Sequence, residues 1–154
     1  MIREALGEDI PQMTALTEMK RSEYEQYAPT FWRAAKDAAQ KQSPYFRDQL
    51  SQEDTICLVS ENEGQVTGFI IAKVTTAPPV YDPGSLVCMI DDFVVASPDQ
   101  WASTGKDLLQ AVRHLAQSRG ANLVVVVCGH LDEAKREMLR ASDFYIASEW
   151  YVSP

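Results

Sequence analysis

The chain has 154 residues, of which 14 are basic and 22 are acidic, so its formal net charge is −8, and 45% of its residues are hydrophobic. This length and apolar content predict one folded domain over residues 1–154 and argue against disorder. The negative charge argues against nucleic acid or an anionic membrane surface as a partner, because both are polyanionic. Cationic partners are compatible with it.

Three cysteines, Cys57, Cys88 and Cys128, lie far apart without any CxxC pair. Their odd number and spacing argue against a disulfide framework and a zinc cluster, so we expect free thiols, a reducing compartment and no bound metal. The first ten residues carry acidic side chains where a signal peptide needs an apolar core. The longest strongly apolar run, 123–128, is far shorter than the ~20 residues of a membrane span. These features predict a cytoplasmic protein.

The first part of the chain predicts one strand and two helical regions. Ile2–Ala5 is expected to be a strand, Gly7–Asp9 a turn with acidic caps, and Pro11 the first turn of a helix. Residues 31–50 predict a second helical region that is interrupted near Pro44, because proline removes a backbone donor and bends the chain before it.

The middle of the chain predicts three strands. The runs 55–59 and 67–74 are rich in β-branched and aromatic residues and form a hairpin across Glu61–Gly64, where Asn and Gly tolerate the positive φ of a tight turn. The proline-rich segment 77–84 predicts a loop, because proline cannot pair in a central strand. This loop leads into a strand over 86–95.

The last part of the chain predicts helix, strand, helix and strand. Leu108, Leu109, Val112, Leu115 and Ala116 recur at helical spacing, and Gly120 ends that helix. The run 123–128 is apolar without alternation, which predicts a central strand covered on both faces. A helix over Asp132–Arg140 and a terminal strand over 145–152 complete an order typical of a mixed α/β sheet with helices on both faces.

The segment that carries chemical information is the turn from the strand over 86–95 into the following helix. Backbone N–H groups at a helix N-terminus are unpaired, so a loop of small residues there can wrap a diphosphate. The segment Gln100–Lys106 resembles the acyl-coenzyme A signature of the GNAT N-acetyltransferase superfamily, which is Gln or Arg, any two residues, Gly, any residue, and Gly or Ala. Gln100, Ser103 and Gly105 occupy its defined positions, with serine in place of the first glycine.

This resemblance extends over nearly the whole chain, because the element order and the chain length also agree with the family. It implies an α/β (α+β) fold, the GNAT-like acyl-CoA N-acyltransferase fold, with a mixed, splayed β-sheet flanked by helices on both faces. It also implies acetyl-CoA as cosubstrate, with its thioester between the fourth strand and the strand that ends at Cys128. The residues that the resemblance assigns to the cofactor are Phe93, Val94, Val95, Gln100, Trp101, Ala102, Ser103, Thr104, Gly105 and Lys106.

The resemblance also suggests where the acceptor amine would be activated. An amine with a pKa near 10.4 is mostly protonated at neutral pH, so a base must accept its proton. Asp91 is the candidate, because polyamine-acetylating members of the family carry a glutamate on the fourth strand. Strand alternation is expected to send Asp91 and Asp92 to opposite faces. The family's acceptor wall corresponds to Phe31, Trp32 and Tyr81, although aromatic residues at helical spacing are also commonly buried in a core.

The leaving group is where the sequence departs from the family. A tyrosine in the helix after the fifth strand commonly protonates the departing thiolate, and Leu139 occupies the matching position when the pattern is anchored on Phe144. A thiol with a pKa of about 8.5 still leaves acceptably as an anion. Cys128 and His130 are expected to lie ~6.6 Å apart along a strand, which is long for a nucleophile and its base.

Three functions are compatible with these features. The first is an N-acetyltransferase that transfers the acetyl group of acetyl-CoA to a primary amine of a small molecule, peptide or protein. The second is a non-catalytic GNAT-like module that binds an acyl-CoA or a protein partner, as serine in the loop and Leu139 would allow. The third is another α/β nucleotide-binding fold, which would have a parallel sheet without a splay. A homodimer is compatible with each.

Overall fold

The computed structural model describes residues 1–154 and contains one five-stranded sheet and four α-helices. The strands are β1 Ile2–Glu4, β2 Thr55–Asn62, β3 Gln65–Thr75, β4 Leu86–Val95 and β5 Ala121–Val126. The helices are α1 Ile10–Tyr27, α2 Ala38–Leu50, α3 Thr104–Ser118 and α4 Glu133–Ala141. Short 3₁₀ turns precede α1 and α3.

The sheet is mixed. Its strand order is β1-β2-β3-β4-β5, with antiparallel pairing from β1 to β4 and parallel pairing between β4 and β5. The β2–β3 hairpin turns at Glu63 and Gly64, whose φ angles of 50° and 78° match the positive φ values of a tight hairpin turn. The mixed sheet confirms the predicted fold class and contradicts the parallel sheet of the third hypothesis.

The two parallel strands diverge along their length. Their pairing reaches Ile90 and Val126, and the Val127 N–H donates to the Ile90 carbonyl at 2.9 Å. Beyond this point β4 continues to Val95 while β5 has ended, so no ladder joins them. This divergence is the splay that the resemblance implies, and we call the opening between the two strands the splay cleft.

Helices cover both faces of the sheet, as predicted. Met13 of α1 and Phe46 of α2 pack with Phe69 on one face. On the other face, Leu108 and Val112 of α3 are completely buried in a larger core that also holds residues of α4. None of the four helices combines the length and the apolar character needed to cross a membrane.

The predicted break in the second helical region is wrong. Residues 31–37 form turns rather than a helix, and α2 then runs through Pro44 without interruption. Pro44 is exposed, whereas the neighbouring Phe46 is fully buried and meets Phe69 edge to face with ring centroids 5.4 Å apart. The burial of an aromatic ring offsets the hydrogen bond that proline removes from the helix.

Two linked predictions about the C-terminal part are also wrong. No strand forms after α4, and the apolar residues expected in it are exposed. These are Tyr145, Ile146, Trp150, Tyr151 and Val152. Because nothing pairs with its outer side, β5 is an edge strand rather than a covered central one, and Leu123 is 42% exposed.

Candidate active site

The turn into α3 leaves backbone donors free. Ser103 precedes the helix with φ −115°, so it needs none of the positive-φ geometry reserved for glycine, and its side chain does not cap the helix. The N–H groups of Thr104, Gly105 and Lys106 therefore have no acceptor within the helix. Lys106 is exposed and forms no ion pair. An anionic diphosphate fits this end of the helix.

Trp101 packs beneath this turn. Its ring is buried and meets Phe93 edge to face, with centroids 4.8 Å apart. The ring also presses on Gly105, because a Cβ there would lie 2.6 Å from the nearest Trp101 ring atom. The glycine at the third defined position of the motif is therefore required by packing against the protein's own tryptophan. The side-chain oxygen of Gln100, the first motif residue, is buried without a hydrogen-bond partner.

We expect Gly105→Ala to destabilise the fold. The added methyl group must displace the Trp101 ring, and overpacking of this kind typically lowers the free energy of unfolding by ~1–3 kcal/mol. Urea unfolding measures the loss. Gly7→Ala is the matched control, because no atom lies within 4 Å of a Cβ at Gly7. Equal stability of the two variants would contradict the tight contact.

The predicted cofactor residues on β4 are buried. The side chains of Phe93 and Val95 lie in the core beneath α3 and α4, whereas Val94 lies in the core beneath α1 and α2. Their side chains therefore support the sheet, and only their backbone groups can face a ligand. The Phe93 carbonyl points into the splay cleft, where it accepts hydrogen bonds from two lysine side chains.

Lys135 of α4 spans the splay cleft. Its Nζ donates to the Phe93 carbonyl at 3.3 Å and to the Val127 carbonyl at 3.0 Å, so it joins the two diverging strands. The side chain is 0% exposed, and its Nζ lies 5.2 Å from the ring centroids of both Phe93 and Trp101. The interior of the cleft is therefore filled by the protein itself.

Lys20 of α1 reaches the same carbonyl. Its Nζ donates to Phe93 O at 3.2 Å and lies 5.1 Å from the Tyr24 ring centroid. Neither Lys20 nor Lys135 forms an ion pair with a carboxylate. Burial lowers the pKa of both amines, and the neighbouring charge of Lys20 helps to lower the pKa of Lys135 to about 7. A pKa of about 7 leaves part of the Lys135 amine uncharged at neutral pH.

A hydrogen-bonded network holds α4 at the mouth of the cleft. The Tyr24 hydroxyl donates to Asp132 Oδ2 at 2.7 Å and accepts from the Gly129 N–H at 3.1 Å. Asp132 also caps α4 by accepting from the Lys135 N–H at 3.4 Å. A Cβ at Gly129 would lie 2.7 Å from the Tyr24 ring, so the glycine permits this approach.

Cys128 and His130 do not form a catalytic pair. The Cys128 thiol donates to the Gly129 carbonyl at 3.5 Å, while His130 is exposed. Burial raises the pKa of the thiol, which disfavours the reactive thiolate. All three cysteines are free, and Cys88 is fully buried, as expected for small apolar residues.

A bulge in β4 corrects the prediction that Asp91 and Asp92 lie on opposite faces. Asp92 pairs with Ile71 and Ile90 pairs with the next residue of β3, so Asp91 is left without a partner. Ile90 and Phe93 consequently share one core, although strict alternation over three residues would separate them. The two aspartates therefore lie next to each other at the same side of the sheet.

Asp92 has the environment expected of a proton acceptor. It is half-buried and accepts a hydrogen bond from the Tyr45 hydroxyl at 3.1 Å. Burial raises the pKa of Asp92, and the charge of Asp91 raises it further, while Tyr45, Lys20 and Lys135 oppose the rise. Asp91 is exposed and has no hydrogen-bond partner. The assignment of the base to Asp91 stays a prediction, and the structure favours Asp92.

Two substitutions should move the pKa of Asp92 in opposite directions. Tyr45→Phe removes the hydrogen bond that stabilises the carboxylate, so the pKa should rise. Asp91→Asn removes the neighbouring negative charge, so the pKa should fall. Carboxyl chemical shifts followed by NMR over a pH titration measure both. Shifts in the same direction would show that the two groups do not act on Asp92 as described.

An open pocket of about 340 Å³ lies between α1 and α2. Its walls include the predicted acceptor residues Phe31 and Trp32, whose ring centroids lie 4.7 Å apart. Tyr45 also lines the pocket, and its hydroxyl donates to Asp92. Trp150 of the C-terminal segment meets Phe31 edge to face at 6.1 Å. The third predicted residue, Tyr81, is 73% exposed in the loop before β4 and does not line this pocket.

Leu139 leaves the position of the usual acid without a proton donor. Its side chain is 9% exposed and packs with Met138 in the core beneath α4. The residue at the position of the usual tyrosine therefore packs in the core and cannot protonate the thiolate.

Sequence patterns did not single out Lys20, Lys135 or Tyr45. A signal for Lys135 exists, because it precedes Met138 and Leu139 by three and four positions and so lies on the apolar face of α4. A lysine on such a face needs partners in the interior.

Comparison with known proteins gives a match in fold alone. No protein-family profile and no curated protein matches the sequence. A mutant of the BH1408 protein from Bacillus halodurans has a TM-score of 0.87 and 13% identity, covering 100% of this chain and 98% of that chain. A predicted acetyltransferase from Clostridium acetobutylicum, solved with acetyl-CoA, has a TM-score of 0.76 and 15% identity, with coverage of 100% and 95%.

An enzyme with a named substrate class is also similar. The aminoglycoside antibiotic 6′-N-acetyltransferase AAC(6′)-Ih from Acinetobacter baumannii has a TM-score of 0.74 and 13% identity, covering 100% of this chain and 96% of that chain. These likenesses span the whole chain, including the mixed sheet and the turn into α3. The chain has the acyl-CoA N-acyltransferase fold of the GNAT superfamily.

Proposed function

We propose that this protein is a cytoplasmic acetyl-CoA-dependent N-acetyltransferase that acts on a primary amine, and that residues 1–154 form one N-acetyltransferase domain. One arrangement carries the proposal. The uncapped N-terminus of α3 lies on one face of a splayed sheet. The adjacent carboxylates of Asp91 and Asp92 lie on the other face, which α1 and α2 cover. A polyanionic cofactor would approach the α3 N-terminus, and a cationic acceptor would approach the two aspartates from the opposite face.

Attraction for the anionic cofactor must come from groups near α3 and not from the overall charge of the protein. The net charge of −8 repels a polyanion, so the attraction must come from the α3 amides and from Lys106 beside them. When bound, acetyl-CoA supplies an acetyl group activated as a thioester. Thr104, Gly105 and Lys106 would hold its diphosphate through their free N–H groups, and Gln100, Trp101, Ala102 and Ser103 would form the rest of the surrounding turn.

The two aspartates would attract the acceptor amine and remove its proton. A primary ammonium group is attracted by Asp91 and Asp92, and the raised pKa of Asp92 makes that carboxylate a better proton acceptor than an ordinary aspartate. Tyr45 orients the Asp92 carboxylate through its hydroxyl. Phe31 and Trp32 would then contact the apolar part of the acceptor in the adjoining pocket. The charged amine would lie toward Asp92 and its apolar group toward the rings, because Arg21, Arg33 and Lys41 also line the pocket.

The departing thiolate needs no tyrosine. With Leu139 buried in the core, no titratable side chain stands at that position. A thiol with a pKa of about 8.5 is a good enough leaving group to depart as an anion and to take its proton from water.

An acetyl-transfer assay tests the proposal. The protein is incubated with acetyl-CoA and a panel of polyamines, amino acids, aminoglycosides, arylalkylamines and peptides, and both free thiol and acetylated product are measured. We expect thiol release that depends on the amine, with a matching acetylated product. Binding of acetyl-CoA without any product across the panel would favour the second candidate below.

The second candidate is a non-catalytic acyl-CoA-binding or protein-interaction module. It is favoured by two observations, the buried Leu139 at the position of the acid and the lysine-filled splay cleft. Calorimetry separates the candidates, because a module would bind the cofactor without turnover and a pure interaction domain would not bind it at all.

The proposed acceptor is an amine, and nucleic acid and membranes are not expected partners of so acidic a chain. A homodimer stays a prediction, and sedimentation velocity is the measurement that decides it.

A further inference from the structure

The most unusual group in the molecule is the amine of Lys135. Its side chain is completely buried, has no carboxylate partner, and is held by the Phe93 carbonyl of β4 and by the Val127 carbonyl just beyond β5. Burial of an amine is unfavourable unless hydrogen bonds compensate it. The Phe93 and Val127 carbonyls provide those bonds at the point where the β4–β5 ladder has ended.

The stem of Lys135 also fills space. Its amine lies over the rings of Phe93 and Trp101, which close the cleft from the side of the α3 turn. A pocket of about 490 Å³ lies between the first turn of α3 and the strands β1, β2 and β3, with Gln100 and Thr104 in its wall, and no residue of β5 or α4 lines it. The open space beside α3 therefore lies away from β5 and α4, whereas the splay cleft itself is occupied.

We infer that Lys135 is an internal occupant of the channel for the pantetheine arm of coenzyme A, so that the arm enters only after this side chain leaves the splay cleft. The inference rests on the proposed use of acetyl-CoA. The pantetheine arm contains two amide groups, whose N–H donors can take over the Phe93 and Val127 carbonyls. Lys135 therefore holds the acceptors that the arm would use.

The surroundings of Lys135 make its release feasible. Lys20 donates to the same Phe93 carbonyl, so two amines compete for one acceptor. Burial disfavours the charged form of both amines, and the charge of Lys20 also disfavours the charged form of Lys135. Asp132, Cys128 and Asp92 lie near enough to act on these amines, but none of the three forms an ion pair with them. A lysine that moves into water regains its hydration and escapes this repulsion.

Comparison of two ligands tests the inference. Coenzyme A and 3′-phospho-ADP share the nucleotide end, and only coenzyme A has the arm. Titration calorimetry gives the ratio of their affinities. For the wild-type protein we expect a ratio near one, because closed molecules bind only the nucleotide end. Lys135→Ala and Lys135→Val shorten the side chain and should raise the ratio by about tenfold or more, as expected when a rarely open state becomes dominant.

Matched variants separate the causes. Lys135→Met keeps the length of the side chain, so the ratio should stay near the wild-type value. Lys106→Ala should weaken both ligands equally and leave the ratio unchanged. A wild-type ratio well above tenfold would overturn the inference whether or not the shortened variants fold, and so would an unchanged ratio in folded Lys135→Ala. Absence of binding by either ligand in every variant would instead overturn the proposed function, and the inference with it.

Discussion

Replacing Asp92 by asparagine should lower the rate of amine acetylation by about 10²–10⁴-fold, the usual contribution of a positioned general base. Asparagine keeps the shape of the side chain and can still accept a hydrogen bond from Tyr45, but it cannot accept a proton from the acceptor amine. In the wild-type protein the rate should also fall as pH drops through the raised pKa of Asp92. This acidic limb should disappear in Asp92→Asn.

Asp91→Asn is the control for this substitution, because Asp91 is adjacent to Asp92 but is exposed and free of hydrogen bonds. Steady-state rates measured across the acidic range distinguish the two. If Asp91→Asn abolishes the acidic limb and Asp92→Asn retains it, the base is Asp91 and the assignment to Asp92 fails.

The stability of the protein should depend on pH through Lys135. Its pKa is about 7 in the folded protein, chiefly because of burial, against about 10.4 when exposed. Between these values the unfolded chain binds one more proton, so folding stability contributed by Lys135 rises with pH, by up to ~1.4 kcal/mol per pH unit. Below the folded pKa both states are protonated and the penalty of burying the charge is complete.

Lys135→Met removes this contribution. Urea unfolding of the wild-type protein and of Lys135→Met between about pH 7 and pH 10 should show that the wild-type protein gains stability relative to the variant as pH rises. Lys41→Met is the control, because the Lys41 side chain is 70% exposed and its removal should give a constant difference. A constant difference for Lys135→Met as well would show that the amine is not buried as described.

Much of the fold could be predicted because its determinants are local. Each of the five strands was predicted within a few residues, since β-branched runs bounded by Gly, Pro and Asn indicate strands directly. The turn at Gly64 and the helix end at Gly120 were also correct, and both glycines have positive φ. The loop at Gln100–Lys106 was recognised because its motif stands between a strand and a helix.

The β4 bulge could not be read from the sequence. Nothing in Ile90–Phe93 distinguishes a bulged strand from a regular one, because the extra residue is defined by its partner strand. One unpaired residue nevertheless decides whether Asp91 and Asp92 share a side of the sheet. Because of this bulge, the half-buried Asp92 is a better candidate for the base than the exposed Asp91.

The role of β5 depends on residues far along the chain. Its apolar run predicts a covered strand only if another strand pairs outside it, and the C-terminal segment does not provide one. The splay cleft is a tertiary feature of the same kind. Lys135 and Lys20 belong to different helices, and their meeting at the Phe93 carbonyl follows from how those helices pack.

The melting temperature of the wild-type protein in the presence of acetyl-CoA is the most direct test of the central claim that this fold binds the cofactor. A ligand that binds only the folded state stabilises it by about 2.7 kcal/mol at a concentration of one hundred times its Kd. We expect a melting temperature that rises steadily with acetyl-CoA concentration, and a smaller rise in Lys106→Glu. An unchanged melting temperature at millimolar acetyl-CoA would contradict the claim.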